Sequence, residues 1–328
     1  MTQTNRAPSR RAVIAGAAAL FVPAAPCLAR GPAPTLTIGG PAFGTSWQLT
    51  LPAGLDAADV SQAIRAETEA VDAAMSPWRP DSALAKFNAA PPGGLRVPRD
   101  AAHVAAQALA LAEATGGVFD PSVGPLVARW GFGPIAGDGA GGSEGMQAGT
   151  DVLVKARRGQ TLDLCGIAKG HALDRIVTLV RGRCDSFLVS LGGELAARGR
   201  HPSGRPWQVA VEDPRPGAAG AVDVLALDGM ALATSGDRVN GYEFGGRRVG
   251  HVIDPRTHAP AGGGVASVSV VAADGLRADG WATALMAAGA ADGPTLADKH
   301  GIAALFLVRD ADGGLRRIET AGFARHRA

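Results

Sequence analysis

The sequence predicts an α+β fold, and three observations carry that prediction. Apolar residues recur at helical spacing over Ala57–Met75, where Val60, Ile64, Thr68, Val71 and Met75 fall on one face. Short apolar and β-branched runs bounded by turn residues fill the second half, at Ser186–Leu191, Trp207–Val211, Val222–Leu227, Ala231–Thr234, His251–Ile253, Ala266–Val271 and Ala303–Val308. Helices and strands do not alternate as βαβ units, which argues against a doubly wound parallel sheet.

Taken in order, residues 1–29 read as an export signal of the twin-arginine type. Arg10-Arg11 stand before the apolar run Ala12–Ala25, which is too short and Ala-rich to span a bilayer, and small residues near Ala29 suit cleavage. The expected product is a periplasmic domain of residues 30–328, with inner-membrane association left open. Cys27 fits a lipid-attachment site poorly, because Pro26 precedes it. Beyond the signal only Cys165 and Cys184 remain, too few for a disulfide framework. The signal holds three Arg and no acid, so the net charge of +2 belongs to it and the domain keeps no basic footprint for nucleic acid.

Within the domain, Leu36–Ile38 and Thr45–Leu51 read as strands separated by a turn at Gly39-Gly40-Pro41. The helix Ala57–Met75 follows. Ala101–Thr115 is a second, Ala-rich helix stopped by Gly116-Gly117, and Pro134–Gly149 is a Gly-rich surface loop. Thr161–Leu164 reads as a short strand, Ala168–Val180 as a helix, and Asp279–Ala288 as a helix between the last two strands.

Four stretches offer chemistry, each with a plainer alternative. In Leu162–His171 a strand would end at Gly166 just before a helix. Free amides there suit a phosphate, a free carbonyl suits a cation, and Lys169 suits an anion; a solvated turn explains the same residues. Asp279 and Thr283 share a helix face and can offer oxygen to a hard cation, or act as an N-cap and a packing residue. His251, before the turn Asp254-Pro255, is either a general base or structural. Gly116–Leu126 with Trp130–Gly133 mixes turn residues, an acid and aromatics, as a flavin or adenine pocket requires and as an irregular packed loop also does.

In this order the pieces resemble the FAD:protein FMN transferase family, often called the ApbE family. The resemblance runs from Gly44-Thr45 to Leu285. It takes in Met75-Ser76, Asp81-Ser82, Phe87-Asn88, Phe119-Asp120-Pro121, Gly124-Pro125-Leu126, Trp130–Gly133, Asp163-Leu164 with Gly170, Gly192-Gly193-Glu194, Thr234-Ser235-Gly236, His251–Pro255, and Asp279 with Thr283. It implies an α+β architecture of mixed and antiparallel strands with packed helices, the T-fold-like arrangement of that family. It also implies Mg²⁺ held by the Gly166 carbonyl, Asp279 and Thr283, all oxygen ligands that suit Mn²⁺ as well. The positions implied for FAD, the substrate, are Phe43, Trp78, Val118, Phe119, Asp120, Asp163, Lys169 and Ile253, with His251 near the acceptor hydroxyl. Phe43 stands where methionine is commoner, Trp78 replaces a usual tyrosine, and His258 stands where glycine is usual.

The expected reaction is Mg²⁺-dependent transfer of FMN from FAD to a threonine or serine of an exported FMN-domain protein of a membrane redox complex, with release of AMP. Lys169 and His251 would be the catalytic side chains. The alternatives are an FAD pyrophosphatase using the same site and a flavin-binding protein without turnover.

Overall fold

In this computed structural model the chain enters on an extended hairpin, β1 (Thr35–Ala42) and β2 (Thr45–Pro52). The structure describes residues 34–137, 142–215, 217–245, 247–310 and 312–328; the export signal with Cys27, and part of the Gly-rich loop, lie outside the described residues. The expected turn at Gly39-Gly40-Pro41 is instead strand, because β1 is an edge strand where a proline withholds no ladder donor. Gly39 and Gly40 leave room for Trp47 opposite: a Cβ on Gly39 would lie 2.7 Å from the Trp47 carbonyl. The chain reverses at Phe43-Gly44, both at positive φ (51° and 72°), the backbone of a two-residue hairpin turn.

Helix α1 (Ala57–Met75) begins where Asp56 Oδ1 accepts Ala58 N at 2.9 Å, and it buries the five residues predicted to share its face. Then come α2 (Ala83–Ala89), β3 (Gly93–Arg96), α3 (Arg99–Ala114), α4 (Gly124–Arg129), β4 (Gln147–Ala148) and β5 (Val152–Lys155). Strands β3, β5 and β4 form a small sheet absent from the sequence reading. Thr161–Leu164 is not a strand. Its backbone is held by a side chain and a turn: Leu162 N donates to Asn88 Oδ1 and Asn88 Nδ2 to Leu162 O (both 2.8 Å), and Asp163 N donates to Pro121 O (2.6 Å).

Next are α5 (Ala168–Arg181), β6 (Phe187–Leu191), β7 (Glu194–Arg198), β8 (Trp207–Glu212), β9 (Ala221–Leu227), β10 (Ala231–Gly236) and the hairpin β11 (Gly241–Phe244) with β12 (Arg247–Gly250). The short strands β13 (Ile253–Asp254) and β14 (Ala259–Pro260) pair with each other, so the predicted strand at His251 starts only at Ile253. The chain ends in β15 (Val265–Ala272), α6 (Gly275–Lys299), β16 (Ala303–Arg309) and β17 (Leu315–Glu319).

The main sheet has eight strands in the order β1-β2-β6-β7-β10-β15-β16-β17, each antiparallel to its neighbour. Period-2 alternation divides its side chains between two cores. Phe187, Val189, Leu191, Val268, Val270, Ala304 and Phe306 face α1, α3, α5 and α6. Leu188, Ala197, Leu232, Val271, Leu305 and Leu307 face the β8–β9 hairpin and Phe323. Covered on both sides, β15 is buried along its whole length.

Candidate functional site

Two helices packed backbone to backbone make the site. A Cβ on Gly275 would lie 2.6 Å from the Gly170 carbonyl, so α5 and α6 meet where neither carries a side chain. The α6 N-terminus is capped twice: Asp274 Oδ1 accepts Arg277 N (2.7 Å), while Asp174 of α5 accepts Gly275 N (2.7 Å) and Leu276 N (2.9 Å). The cap is therefore Asp274, and Asp279 lies inside the helix, free for another task. The helix outruns its predicted end and breaks at Gly289, where φ is 77°.

Asp279 is 3% exposed, and its Oδ2 accepts Gly170 N at 2.9 Å. Burial pushes its carboxyl up to about 7, against the downward pull of Lys169 and the Gly170 N–H and with the upward push of Glu194. Thr283 lies one turn on, its Oγ1 3.3 Å from Ser235 Oγ. The Gly166 turn presses on it: a Cβ there would sit 2.8 Å from Thr283 Cγ2 and 3.4 Å from the Phe119 ring. Gly166, Thr283 and Phe119 thus meet, with Asp279 one helical turn away.

Lys169 forms an ion pair with Glu194 Oε1. Burial works against its charge, but Glu194 and Asp279 outweigh burial and hold its pKa above the ordinary lysine value. Glu194 is 1% exposed, and its Oε2 is buried without a hydrogen-bond partner. Two buried carboxyl groups thus crowd one ammonium, and a hard cation on oxygen ligands would favour the ionised form of Asp279 that burial opposes. The donor set of Asp279, Thr283 and the Gly166 carbonyl fits such an ion. Among the described residues no three His, Cys, Asp or Glu side chains gather as a metal site, so an ion here would depend on hydroxyl and main-chain oxygen.

The other predicted residues border this cluster or lie further along. Asp163 Oδ1 accepts Cys165 N (2.9 Å), and burial raises its carboxyl. Asp120 Oδ1 accepts the amide (2.8 Å) and hydroxyl (2.7 Å) of Ser122, while Val118 and Phe119 are buried. Asp120, Ser122, Val123 and Leu126 line a cleft of about 220 Å³ together with Pro255 and His258. A larger cleft of about 480 Å³, lined by Glu67, His171, Asp174 and Arg175, contains none of the predicted site residues. Cys165 and Cys184 are both free thiols.

His251 is half-buried beside Phe132, which stacks on Tyr242 (centroids 5.2 Å apart). Its Nδ1 lies 3.2 Å from Asn240 O; a carbonyl only accepts, so Nδ1 carries the proton and Nε2 keeps a lone pair. Burial lowers its pKa, which favours the neutral ring. Ile253, which opens β13, is buried. Phe43 packs half-buried at its hairpin turn, and Thr45, two residues on, lies against Gly192. Trp78 donates its amide to Ser76 Oγ (3.3 Å), and the residue is 64% exposed, which leaves its ring open to stacking. Glu194, Ser235 and Asn88 belong to motifs quoted above, yet no role for them is legible in the sequence. An acid directly after the Gly192-Gly193 turn, ahead of the apolar run Leu195–Ala197, was the available signal.

A model of the ApbE family matches residues 43–306. The chain is 33% identical over 299 residues to the FAD:protein FMN transferase of Salmonella typhimurium, covering 84% of each chain, and 32% identical over 295 residues to that of Escherichia coli K12, covering 83% and 84%. Its fold superposes on the flavin transferase ApbE of Vibrio cholerae with a TM-score of 0.80 at 30% identity, spanning 90% of this chain and 100% of that one. It matches the apo flavinyl transferase ApbE of Pseudomonas stutzeri at 0.80 and 31% identity, spanning 91% and 98%.

Proposed function

The chain belongs to the ApbE family and is an FAD:protein FMN transferase by homology over most of its length, and on that premise we propose the finer reading: Mg²⁺-dependent transfer of FMN from FAD to a threonine or serine hydroxyl of an exported acceptor, with release of AMP. The observation that carries it is the meeting of Asp279, Thr283, Gly166 and Lys169 at the contact of α5 and α6.

Phosphoryl transfer asks a protein chiefly for positioning and charge neutralisation. Asp279, Thr283 and the Gly166 carbonyl would hold the metal, which when bound supplies Lewis-acid neutralisation of the diphosphate. Lys169 adds a fixed positive charge. The exposed ring of Trp78, with Phe43 and the Val118–Asp120 turn, is suited to planar parts of the substrate. His251 Nε2 is the base: it takes the proton of the acceptor hydroxyl as that oxygen bonds to the FMN-side phosphorus. The bond from that phosphorus to the bridging oxygen breaks, and AMP leaves.

The twin arginines of residues 1–29 support export, which makes the acceptor an exported protein too, of the FMN-domain class found in membrane redox complexes. None of the described helices is long and apolar enough to cross a membrane.

The test is to incubate the protein with FAD, Mg²⁺ and an FMN-domain acceptor and to look for flavin fluorescence on the denatured acceptor band. A metal-dependent band supports the reading. Free FMN and AMP without a band would point to hydrolysis of FAD, and intact FAD to binding without turnover.

A further inference from the structure

Glu194 opens β7 directly after the Gly192-Gly193 turn, on a strand hydrogen-bonded on both sides within the main sheet. Its carboxylate is taken out of water almost completely, and only Oε1 gains a partner, Lys169. Oε2 tucks under the turn, 3.5 Å from where a Cβ on Gly192 would lie. As a stabilising device this is a poor one. A buried carboxylate with one oxygen unsatisfied, paired with a lysine that keeps 36% of its side chain exposed, loses more solvation than one ion pair restores. The arrangement makes sense through Lys169. That side chain starts from the first turn of α5, and Glu194 meets it from the sheet. An ammonium has three donors. The carboxylate engages one and fixes the flexible stem, and the lysine side chain stays partly exposed, with donors left for a further partner.

We propose that Glu194 is a positioning residue for the transfer, anchoring the Lys169 ammonium from the sheet side so that its remaining N–H donors are presented to the diphosphate of FAD. The inference rests on the reading of this cluster as the diphosphate site. Glu194 itself touches no substrate in this account; its effect passes through Lys169.

A double-mutant cycle on FAD binding tests this, read as the dissociation constant with Mg²⁺ and no acceptor present. Glu194→Gln keeps the shape and removes the anchoring charge; Lys169→Met removes the ammonium; the double variant replaces the ion pair with neutral groups and so leaves no unpaired buried charge. The expected result is that each single variant binds FAD roughly tenfold more weakly, within the range for coupled neighbours. In the Lys169→Met background, Glu194→Gln should then cost nothing further. A Glu194→Gln penalty that persists without the lysine would make the role merely structural and overturn the proposal, as would wild-type affinity in Glu194→Gln. Wild-type protein that does not bind FAD would overturn the diphosphate reading itself, and the role of Glu194 with it. Thermal unfolding of all four proteins separates a misfolded variant from a weakened site, and the double variant keeps the test decisive if Glu194→Gln alone unfolds.

Discussion

The Gly170 amide donates to Asp279 Oδ2 at 2.9 Å, tying the first turn of α5 to the interior of α6. One carboxylate oxygen is thereby committed to the fold and the other is left for a ligand. Asp279→Asn can keep an acceptor for Gly170 while losing the charge. It should stay folded and lose transfer by about 10²–10³-fold, the scale for removing one charge-stabilising group from an active site. A Mg²⁺ titration of transfer by this variant and by Asp279→Ala checks it, and near-normal rates at saturating Mg²⁺ would exclude Asp279 as a metal ligand.

The same carboxyl makes stability depend on pH. Its pKa rises from 3.8 in the unfolded chain to about 7 in the fold, so the folded state holds the extra proton between those values. Its contribution is therefore fully present below about pH 4 and is lost as pH rises through 7. Metal-free protein should lose thermal stability at Asp279 between pH 5 and pH 8. Mg²⁺ binds the deprotonated form and should raise the melting temperature more at pH 8 than at pH 5. Scanning calorimetry of wild type and Asp279→Asn, with and without Mg²⁺, isolates the term; an Asp279→Asn profile identical to wild type would contradict it.

Lys155 is 2% exposed, and its Nζ donates to Phe87 O (2.8 Å), Asn88 O (2.9 Å) and Gln160 O (3.3 Å). It fixes the backbone of Asn88, whose side chain in turn holds Leu162 beside Asp163. Lys155→Met removes the ammonium from all three carbonyls, of which Phe87 O keeps the Ala90 amide (3.2 Å), and should cost about 3 kcal/mol of stability. Urea unfolding measures this; a loss below about 1 kcal/mol would show that other donors take over.

His258 sits at φ 58°, in the left-handed region, and its carbonyl accepts Trp130 Nε1 at 3.0 Å. His258 contributes only its backbone to that bond, so His258→Gly keeps it. Relief of a left-handed penalty of about 1–2 kcal/mol against an entropy cost of about 0.5–1 kcal/mol predicts unchanged or slightly higher stability. Thermal unfolding decides; a drop of more than about 1 kcal/mol would mean the imidazole packs against the turn.

The α1 face was legible in the sequence because helical burial is a local pattern: the same five residues were predicted and found buried. Gly39-Gly40-Pro41 read as a turn because what keeps it extended, Trp47 across the hairpin, comes from another strand. Thr161–Leu164 has strand-like composition, but the Asn88 side chain takes the hydrogen bonds a ladder would use. Asp279 remained ambiguous between cap and ligand until Asp274 and Asp174 proved to cap α6. Glu194 stayed without a task because its meaning depends on Lys169, which arrives from α5.

The most direct measurement of the central claim is a product balance in one reaction of protein, FAD, Mg²⁺ and acceptor: AMP by chromatography, free FMN by chromatography, and acceptor-bound FMN by intact mass. The expected result is one AMP for each FMN-bearing acceptor, little free FMN, and none of these products without Mg²⁺. AMP matched by free FMN, with the acceptor mass unchanged, would contradict it.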